Sequence, residues 1–497
     1  MASTGAGEYG KTVTASRPGG EVASIRLRCQ SEHMPLQPHY RPVTPILDLA
    51  DWLGDEVEAA AFPQTRLRVR NDRAAADVGL GSLTDKEWTA HFGRFEPLPD
   101  NLPHPLALRY HGHQFRTYNP EIGDGRGFLF AQMRDRDGRL LDLGTKGSGQ
   151  TPYSRFGDGR LTLQGAVRES LATEMLEALG VDTSRTFSIV ETGEELQRND
   201  EPSPTRAAVL VRLSHGHIRI GTFQRLLALE QHDNMAALVD YCRTQFPGPP
   251  PPPDAPGGGE PAVRLLHQVV ERMADLAASY MVAGFVHGVL NTDNMNVSGE
   301  SFDYGPWRFL TEWNPNFTAA YFDQTGLYAY GRQPEAIHWN CGQLAVALRL
   351  LADSTPLIAA LDRFGPLYQE AVGRRWCWRL GVESRGAEAD SKVIAASERI
   401  MREEGLSPDR FFFSYRGGRN APADLANTIV PHADACDHPY WNEGAPVSLV
   451  NEEVQRIWAQ IAEDDDWSAL YETIDRIALA REAHAPVPRA MGHPQNT

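Results

Sequence analysis

The stretch that decides the fold is GFVHGVLNTDNM at residues 284–295, followed closely by DYG at residues 303–305. It comes directly after an apolar-periodic helix pattern at 262–284, which ends in a glycine suited to a helix C-cap. The stretch then presents a His, an Asn and an Asp-aromatic-Gly triplet on short polar segments. A polar loop after a helix could simply connect two elements. This ordered set of side chains instead favours a reaction site.

The order and approximate spacing of these side chains are those of the protein-kinase catalytic loop, HRDxxxxN, and of the DFG motif that follows it. His287 corresponds to the His, Asn294 to the metal-binding Asn and Asp303 to the DFG Asp. Val289 stands where the catalytic Asp is expected, and a carboxylate is displaced to Asp293. Oxygen ligands for a metal are therefore retained, while the usual base for γ-phosphoryl transfer is missing. Such a chain is either a non-catalytic nucleotide binder or an enzyme that attacks a different phosphorus.

A second cluster precedes this stretch, where a hairpin pattern at 127–146 ends in Lys146. A Gly/Pro-rich segment follows at 147–160, and a helix pattern at 163–179 carries Glu169. A strand Lys can neutralise a triphosphate, and a Glu on the helix behind it can hold its ammonium group in place. A surface Lys beside a turn and an exposed helical Glu are the alternatives at this point. The spacing fits neither a P-loop nor a dinucleotide fingerprint.

Further phosphate-binding candidates are Gly and Arg residues near these segments. Gly123 and Gly125 would let the backbone approach an anion, and Arg126 would supply a planar fork of donors. The Asp-Gly step between them is also a plain turn signal. Arg212 and Arg219, seven residues apart, could clamp phosphates.

The amino-acid composition limits the partners and the cellular compartment that are expected for this protein. The 497 residues include 48 Lys and Arg against 65 Asp and Glu, a net charge of −17. This acidic balance repels nucleic acids and anionic membranes, so neither is expected as a partner. The longest apolar stretch, 276–290, is too short to span a bilayer. Five scattered cysteines without a CxxC pattern indicate free thiols in a reducing, cytoplasmic compartment.

These motifs together resemble the selenoprotein O family of kinase-fold protein adenylyltransferases. The resemblance covers about residues 105–350 and thins out after 370. It rests on YHGHQF (110–115), IGDGRG (122–127), LGTKGSGQTPYSRFGDGR (143–160), AVRESLATEM (166–175), the Arg212 and Arg219 pair, GFVHGVLNTDNM (284–295), DYGPWRFL (303–310) and YGRQPEAIHWN (330–340). Many bacterial members pair a Cys after the DFG-like motif with a late Cys. Residues 316–320 contain no Cys, so redox control by such a bridge is not expected here.

The resemblance implies transfer of AMP from ATP to Ser, Thr or Tyr hydroxyls of proteins, with release of pyrophosphate. Bacterial relatives are also associated with uridylyl transfer using manganese. By motif, Asp293 would be the general base, and Asn294 and Asp303 would bind Mg²⁺ or Mn²⁺. The implied nucleotide site comprises Gly123, Gly125, Arg126, Lys146, Asp158, Gly159, Glu169, Arg212, Arg219 and Asp303, with Glu169 orienting Lys146. The alternative is a catalytically inactive pseudokinase that acts as a scaffold.

We therefore expect an α+β, protein-kinase-like bilobal fold, with a mixed-sheet N-lobe and a helical C-lobe, in a monomer. The predicted segments are a flexible N-terminal tail (1–35), an N-terminal extension (36–104), the N-lobe (105–225), the C-lobe (226–370) with a Pro/Gly-rich insertion (247–261), and a helical C-terminal extension (371–497). A strand is predicted at 206–213, and helix patterns occur at 335–352, 355–373, 390–404 and 447–482.

Overall fold

The structure is a computed structural model that describes residues 36–199 and 201–484. The predicted tail, 1–35, and residues 485–497 of the predicted C-terminal extension lie outside the described residues. The strands are β1 (Arg41–Pro42), β2 (Gly54–Glu56), β3 (Arg66–Arg70), β4 (Leu106–Leu108), β5 (Gly112–Gln114), β6 (Thr117–Asn119), β7 (Leu129–Arg134), β8 (Leu140–Lys146), β9 (Leu161–Thr162), β10 (Arg185–Leu196), β11 (Thr205–Ser214), β12 (Phe285–Val286) and β13 (Arg308–Phe309).

The helices lie mostly in the second half of the chain. They are α1 (Ala50–Leu53), α2 (Asp72–Asp77), α3 (Asp85–Gly93), α4 (Leu163–Ala178), α5 (Ile220–Ala228), α6 (His232–Gln245), α7 (Pro261–Ala283), α8 (Gln333–Leu348), α9 (Ser354–Leu361), α10 (Phe364–Leu380), α11 (Ala387–Glu404), α12 (Pro408–Ser414), α13 (Ala423–Ala426), α14 (Asn451–Asp464) and α15 (Ser468–Ala483). Short 3₁₀ turns occur at Pro45–Leu49, Thr292–Asn294, Tyr330–Arg332, Arg416–Gly418 and Pro439–Asn442.

One nine-stranded sheet organises the first half of the chain. Its main path is β2-β4-β7-β8-β11-β10-β3, with β1 paired to β7 and β9 to β11. The predicted hairpin at 127–146 is confirmed as β7 and β8, and the predicted strand at 206–213 as β11. Its strand pairs run antiparallel, and β7–β8 and β10–β11 are each joined without a crossover helix. Strand β8 ends with Lys146 opposite Leu210 of β11.

Helix α4 covers one face of this sheet, where the sequence predicts a helix at 163–179. Its first turn is capped by the Thr162 hydroxyl, which accepts a hydrogen bond from the Gly165 N–H at 3.1 Å. Leu163, Val167 and other apolar side chains at helical spacing are fully buried against the core. Glu169 is buried with them, and this burial directs its carboxylate toward strand β8 rather than to solvent.

Helix α7 is the long central helix of the second half, and it confirms the helix predicted at 262–284. Pro261 occupies its first turn, where a missing N–H costs nothing. Gly284 follows its last turn with φ 67°, a left-handed conformation that favours glycine. Helices α8 and α10 pack against it. The Pro/Gly-rich insertion lies between α6 and α7, and Gln268 on α7 donates a hydrogen bond to the carbonyl of Gly248 at 3.0 Å.

Two of the predicted helix patterns each correspond to two helices rather than to one. The pattern at 355–373 spans α9 and α10, and the pattern at 447–482 spans α14 and α15. The second break occurs at Asp465, which has φ 52° and accepts hydrogen bonds from Arg68 and Arg206 at 3.0 and 2.7 Å. These ion pairs hold the turn against the sheet, so a tertiary contact interrupts a locally continuous helical pattern. Helices α14 and α15 also pack back onto α4.

A sheet lobe with one long helix, followed by a helical lobe, confirms the α+β, kinase-like bilobal fold. The division into five segments stays a prediction. Strands β2 and β3, from the predicted N-terminal extension, join the main sheet, and the predicted boundary after residue 370 falls inside α10. Within 36–199 and 201–484, no helix is both long and apolar enough to cross a membrane.

Candidate active site

Lys146 lies at the centre of the candidate site, between two carboxylates. Its Nζ is 2.6 Å from Oε2 of Glu169 and 2.7 Å from Oδ1 of Asp303. Glu169 is fully buried and Lys146 nearly so, whereas the Asp303 side chain is one-quarter exposed. The structure therefore brings the predicted strand Lys, helix Glu and DFG-like Asp into direct contact. The alternatives of a surface Lys and an exposed Glu are excluded.

Two arginines complete the basic cluster around Asp303. Nη1 of Arg212 lies 3.4 Å from Glu169 and 3.6 Å from Asp303. Nη1 of Arg219 lies 3.9 Å from Oδ2 of Asp303 and donates to the carbonyl of Asp293 at 2.8 Å. Burial alone would raise the pKa of Asp303, but the surrounding Lys and Arg charges outweigh it and hold that pKa well below its ordinary value. Asp303 is therefore an anion in this site.

The loop after α7 presents Asp293 and Asn294 on a 3₁₀ turn. Asp293 is 9% exposed, and its Oδ1 has no hydrogen-bond partner among the described residues. Burial raises the pKa of its carboxyl group to about 6, even though the Arg219 charge acts to lower it. A carboxylate with one unpartnered oxygen and a raised pKa has the properties of a general base. Val289, at the kinase base position, has no such group.

The two glycine-rich segments, 122–127 and 147–160, are in direct contact with each other. A Cβ atom at Gly123 would lie 2.4 Å from the Tyr153 ring, and one at Gly125 would lie 2.8 Å from the Tyr153 carbonyl oxygen. The Ser154 hydroxyl donates to the Gly125 carbonyl at 2.5 Å. These glycines are therefore required by loop packing, a reason that the sequence does not reveal. Arg126 beside them is exposed and lies close enough to lower the pKa of Asp303.

Asp158 and Gly159 lie further along the second glycine-rich segment. Asp158 is exposed and pairs with Arg198 at 2.8 Å, and no contact among the described residues joins it to the Lys146 cluster. Gly159 has φ 69° and its carbonyl accepts from the N–H of Gly149 at 3.2 Å, which closes the loop. The structure thus places this pair on the rim of the site rather than in its basic centre.

The site carries oxygen donors of the kind that divalent cations bind. The Asn294 amide nitrogen donates to the carbonyl of Val289 at 3.0 Å, which leaves the amide oxygen for a metal. Asp303 supplies an anionic oxygen. Within the described part of the chain, no group of three or more His, Cys, Asp or Glu side chains could hold a metal ion unaided. Two oxygen ligands completed by nucleotide phosphates are typical of Mg²⁺ sites.

Several further side chains shape the site, and none of them was predicted from the sequence. Oδ1 of Asp124 pairs with Nη2 of Arg219 at 2.9 Å, and the Tyr110 ring lies 4.4 Å from the same guanidinium group. The Gln114 amide donates to Oδ2 of Asp293 at 3.3 Å. All three residues belong to the motifs YHGHQF and IGDGRG. A single sequence does not indicate which side chains these residues contact in the folded protein.

The chain is similar to known proteins over most of its length. A family model described as protein adenylyltransferase SelO matches residues 41–443. A protein nucleotidyltransferase YdiU of Synechococcus elongatus is 41% identical over 472 residues, covering 86% of this chain and 93% of that protein. A protein of the same name from Pseudomonas aeruginosa is 36% identical over 376 residues and covers 75% of each chain.

Solved structures also match the chain, and one of them is described by its fold. It is ROP2 from Toxoplasma gondii, described as a virulence factor with a protein-kinase fold and no enzymatic activity. The match covers 62% of this chain and 84% of that chain at 10% identity, with a TM-score of 0.25, and it carries no argument here. The family match spans most of the chain and is joined by full-length relatives near 40% identity. The chain therefore belongs to the protein adenylyltransferase SelO family.

Proposed function

We propose that this chain transfers AMP from ATP to Ser, Thr or Tyr hydroxyl groups of proteins and releases pyrophosphate. The observation that carries the proposal is the unpartnered, buried Oδ1 of Asp293, in a loop whose kinase base position holds Val289. The names adenylyltransferase and nucleotidyltransferase, borne by the family and by its relatives, support the same reaction. UTP would serve as a second donor through the same phosphate contacts.

Asp293 would accept the proton of the attacking hydroxyl group. The oxygen of that hydroxyl forms a bond to the α-phosphorus, and the bond from this phosphorus to the bridging oxygen of pyrophosphate breaks. A pKa near 6 keeps most of the Asp293 carboxyl group ionised at neutral pH, so that it can take the proton. Pyrophosphate leaves with the bonding electron pair.

The leaving pyrophosphate needs positive charge along the whole triphosphate. Lys146, Arg212 and Arg219 would supply it from the interior, and Arg126 from the surface. The Nε groups of both buried arginines have no acceptor among the described residues, so each retains a donor for phosphate oxygen. Fixed charges of this kind stabilise developing negative charge without rearranging during the reaction.

Asn294 and Asp303 would hold Mg²⁺ or Mn²⁺. The cation, when bound, neutralises phosphate charge and polarises the phosphorus. We further propose a cytoplasmic monomer that acts on protein substrates without a nucleic-acid or membrane partner. The acidic net charge of −17 and the reduced cysteines in the described residues support this setting.

The position of the label in ATP tests the proposed reaction. With Mg²⁺ or Mn²⁺ and a mixture of bacterial proteins, we expect label from α-³²P-ATP to enter protein and label from γ-³²P-ATP to leave as pyrophosphate. Intact-mass analysis should find adducts of AMP rather than of a phosphoryl group. Label entering protein only from the γ position would indicate kinase activity instead. No transfer with either metal or either nucleotide would favour the scaffold alternative.

Asp303 should make ATP binding depend on the metal. We expect Asp303→Asn to lose the gain in ATP affinity that the metal confers, about tenfold or more, as measured by calorimetry with Mg²⁺ and with EDTA. ATP binding in EDTA should persist, because the variant leaves Lys146 and both arginines in place. The exposed Asp254→Asn serves as the matched control. An unchanged metal dependence would exclude Asp303 as a ligand.

A further inference from the structure

Strand β5, within the motif YHGHQF, is the element whose role the proposed function leaves open. It pairs with β6 in a separate two-stranded ribbon, outside the main sheet. The N–H of His113 donates to the Thr292 hydroxyl at 2.7 Å, and the N–H of Phe115 donates to the Asn291 side-chain oxygen at 3.0 Å. This ribbon therefore holds the loop that carries Asp293.

The side chains on one face of β5 meet the Asp293 carboxylate itself. Gly112 and Gln114 are two residues apart, so they share a face of the strand. The Gln114 amide nitrogen donates to Oδ2 of Asp293 at 3.3 Å. A Cβ atom at Gly112 would lie only 3.1 Å from Oδ1 of Asp293. One oxygen is thus held, and a side chain at position 112 would crowd the other, buried oxygen.

The Asn119 side chain orients the Gln114 amide. The Asn119 amide on β6 donates to the Gln114 oxygen at 3.1 Å. With its oxygen engaged, the Gln114 amide presents its NH₂ group to Asp293. The result is a chain of two hydrogen bonds that runs from Asn119 through Gln114 to one oxygen of the carboxylate.

We propose that Gln114 is a positioning residue for AMP transfer: it holds Oδ2 of Asp293 so that Oδ1 faces the acceptor hydroxyl. The inference rests on the proposed function of Asp293 as the base. A carboxylate free to rotate would seldom present an oxygen in the required direction, and small misplacements of catalytic groups cost large factors in rate. Binding of ATP does not depend on this orientation.

The test compares Gln114→Leu and Gln114→Glu with wild type, using α-³²P-ATP, a saturating metal concentration and a fixed protein acceptor. Leu keeps the bulk of the side chain without a donor, and Glu replaces the donor by a like charge. We expect kcat to fall about tenfold to a hundredfold in both variants, with the KM for ATP and the melting temperature unchanged. Gln369→Leu, an exposed change on α10, is the matched control and should behave as wild type.

A double-mutant cycle separates positioning of Asp293 from other effects. In an Asp293→Asn background, Gln114→Leu should cause no further loss of kcat. An equal loss in both backgrounds, or a rise in the KM for ATP with kcat unchanged, would overturn the proposal. Asn119→Leu should lower kcat by a smaller factor, and Gly112→Ala should lower it by crowding Oδ1; normal kcat in both would also count against it.

The outcomes distinguish this inference from the proposed function. If wild type transfers AMP and Asp293→Asn retains full activity, the proposed AMP transfer stands, but Asp293 is not the base and the positioning role of Gln114 fails with it. If wild type transfers no AMP at all, the proposed function itself fails. If Asp293→Asn is inactive while Gln114→Leu is fully active, only the positioning role fails.

Discussion

Replacing Asp293 by Ala or Asn should abolish most AMP transfer, with a loss of about 10²–10⁴-fold in kcat. A hydroxyl group at neutral pH needs a nearby acceptor for its proton, and Asp293 is the one carboxylate of this loop with an unpartnered oxygen among the described residues. ATP binding should remain, because the basic cluster around Lys146 is intact in the variant. The measurement is transfer from α-³²P-ATP beside ATP affinity by calorimetry.

Two controls sharpen this result. Asp254→Asn, an exposed change in the Pro/Gly-rich insertion, should keep full activity. Val289→Asp in the Asp293→Ala background should not restore AMP transfer, because a carboxylate at 289 occupies the position that serves γ-phosphoryl transfer in kinases. Near-wild-type transfer by Asp293→Ala would remove Asp293 from the mechanism and leave the reaction without an assigned base.

Replacing Lys146 by Met should affect both activity and stability. AMP transfer should fall about ten- to a hundredfold, since a charge-assisted contact to the triphosphate is lost. The variant should also be less stable to unfolding by about 3 kcal/mol, because the fully buried Glu169 loses its closest cation. Arg212, 3.4 Å away, limits that loss. Denaturant unfolding and the α-³²P assay measure the two effects.

A second substitution separates these two effects. Lys146→Met combined with Glu169→Gln removes the buried carboxylate that has lost its closest cation, so the free energy of unfolding should recover toward that of wild type. AMP transfer should not recover, since no ammonium group then faces the phosphates. Recovery of activity together with stability would mean that Lys146 acts only by maintaining the fold.

Local sequence patterns were sufficient for elements whose stability is local. The hairpin at β7 and β8 and helix α7 follow from turn signals, apolar spacing and a terminal glycine. Strand β10 was not predicted; its outer neighbour is β3, far earlier in the chain, and such a pairing leaves no local pattern. The break at Asp465 was missed for a related reason, since arginines about 260 to 400 residues away in the chain stabilise that turn.

The candidate site likewise has some features that the sequence predicts and others that it does not. The order of His287, Asn294 and Asp303, together with Val289 at the base position, is readable from the sequence because it lies within one short stretch. Gly123 also accommodates the Tyr153 ring, 30 residues later, and its predicted contact with the nucleotide stays a prediction. A glycine in a sequence indicates that a side chain would not fit at that position, but it does not identify the neighbouring group.

The sequence by itself determined the residue types, their order and the kinase-like succession of a strand Lys, a helix Glu and a polar loop with Asp293 and Asn294. Only the tertiary structure decided that Lys146 bridges Glu169 and Asp303, and that Gln114 contacts Asp293 across 179 residues of chain. The physical reason is that charge and hydrogen-bonding interactions act over a few ångströms in space, whatever the separation along the chain. Motif spacing constrains neighbours in sequence, whereas the packing of the β5–β6 ribbon on the loop that carries Asp293 decides which carboxylate oxygen has a hydrogen-bond partner.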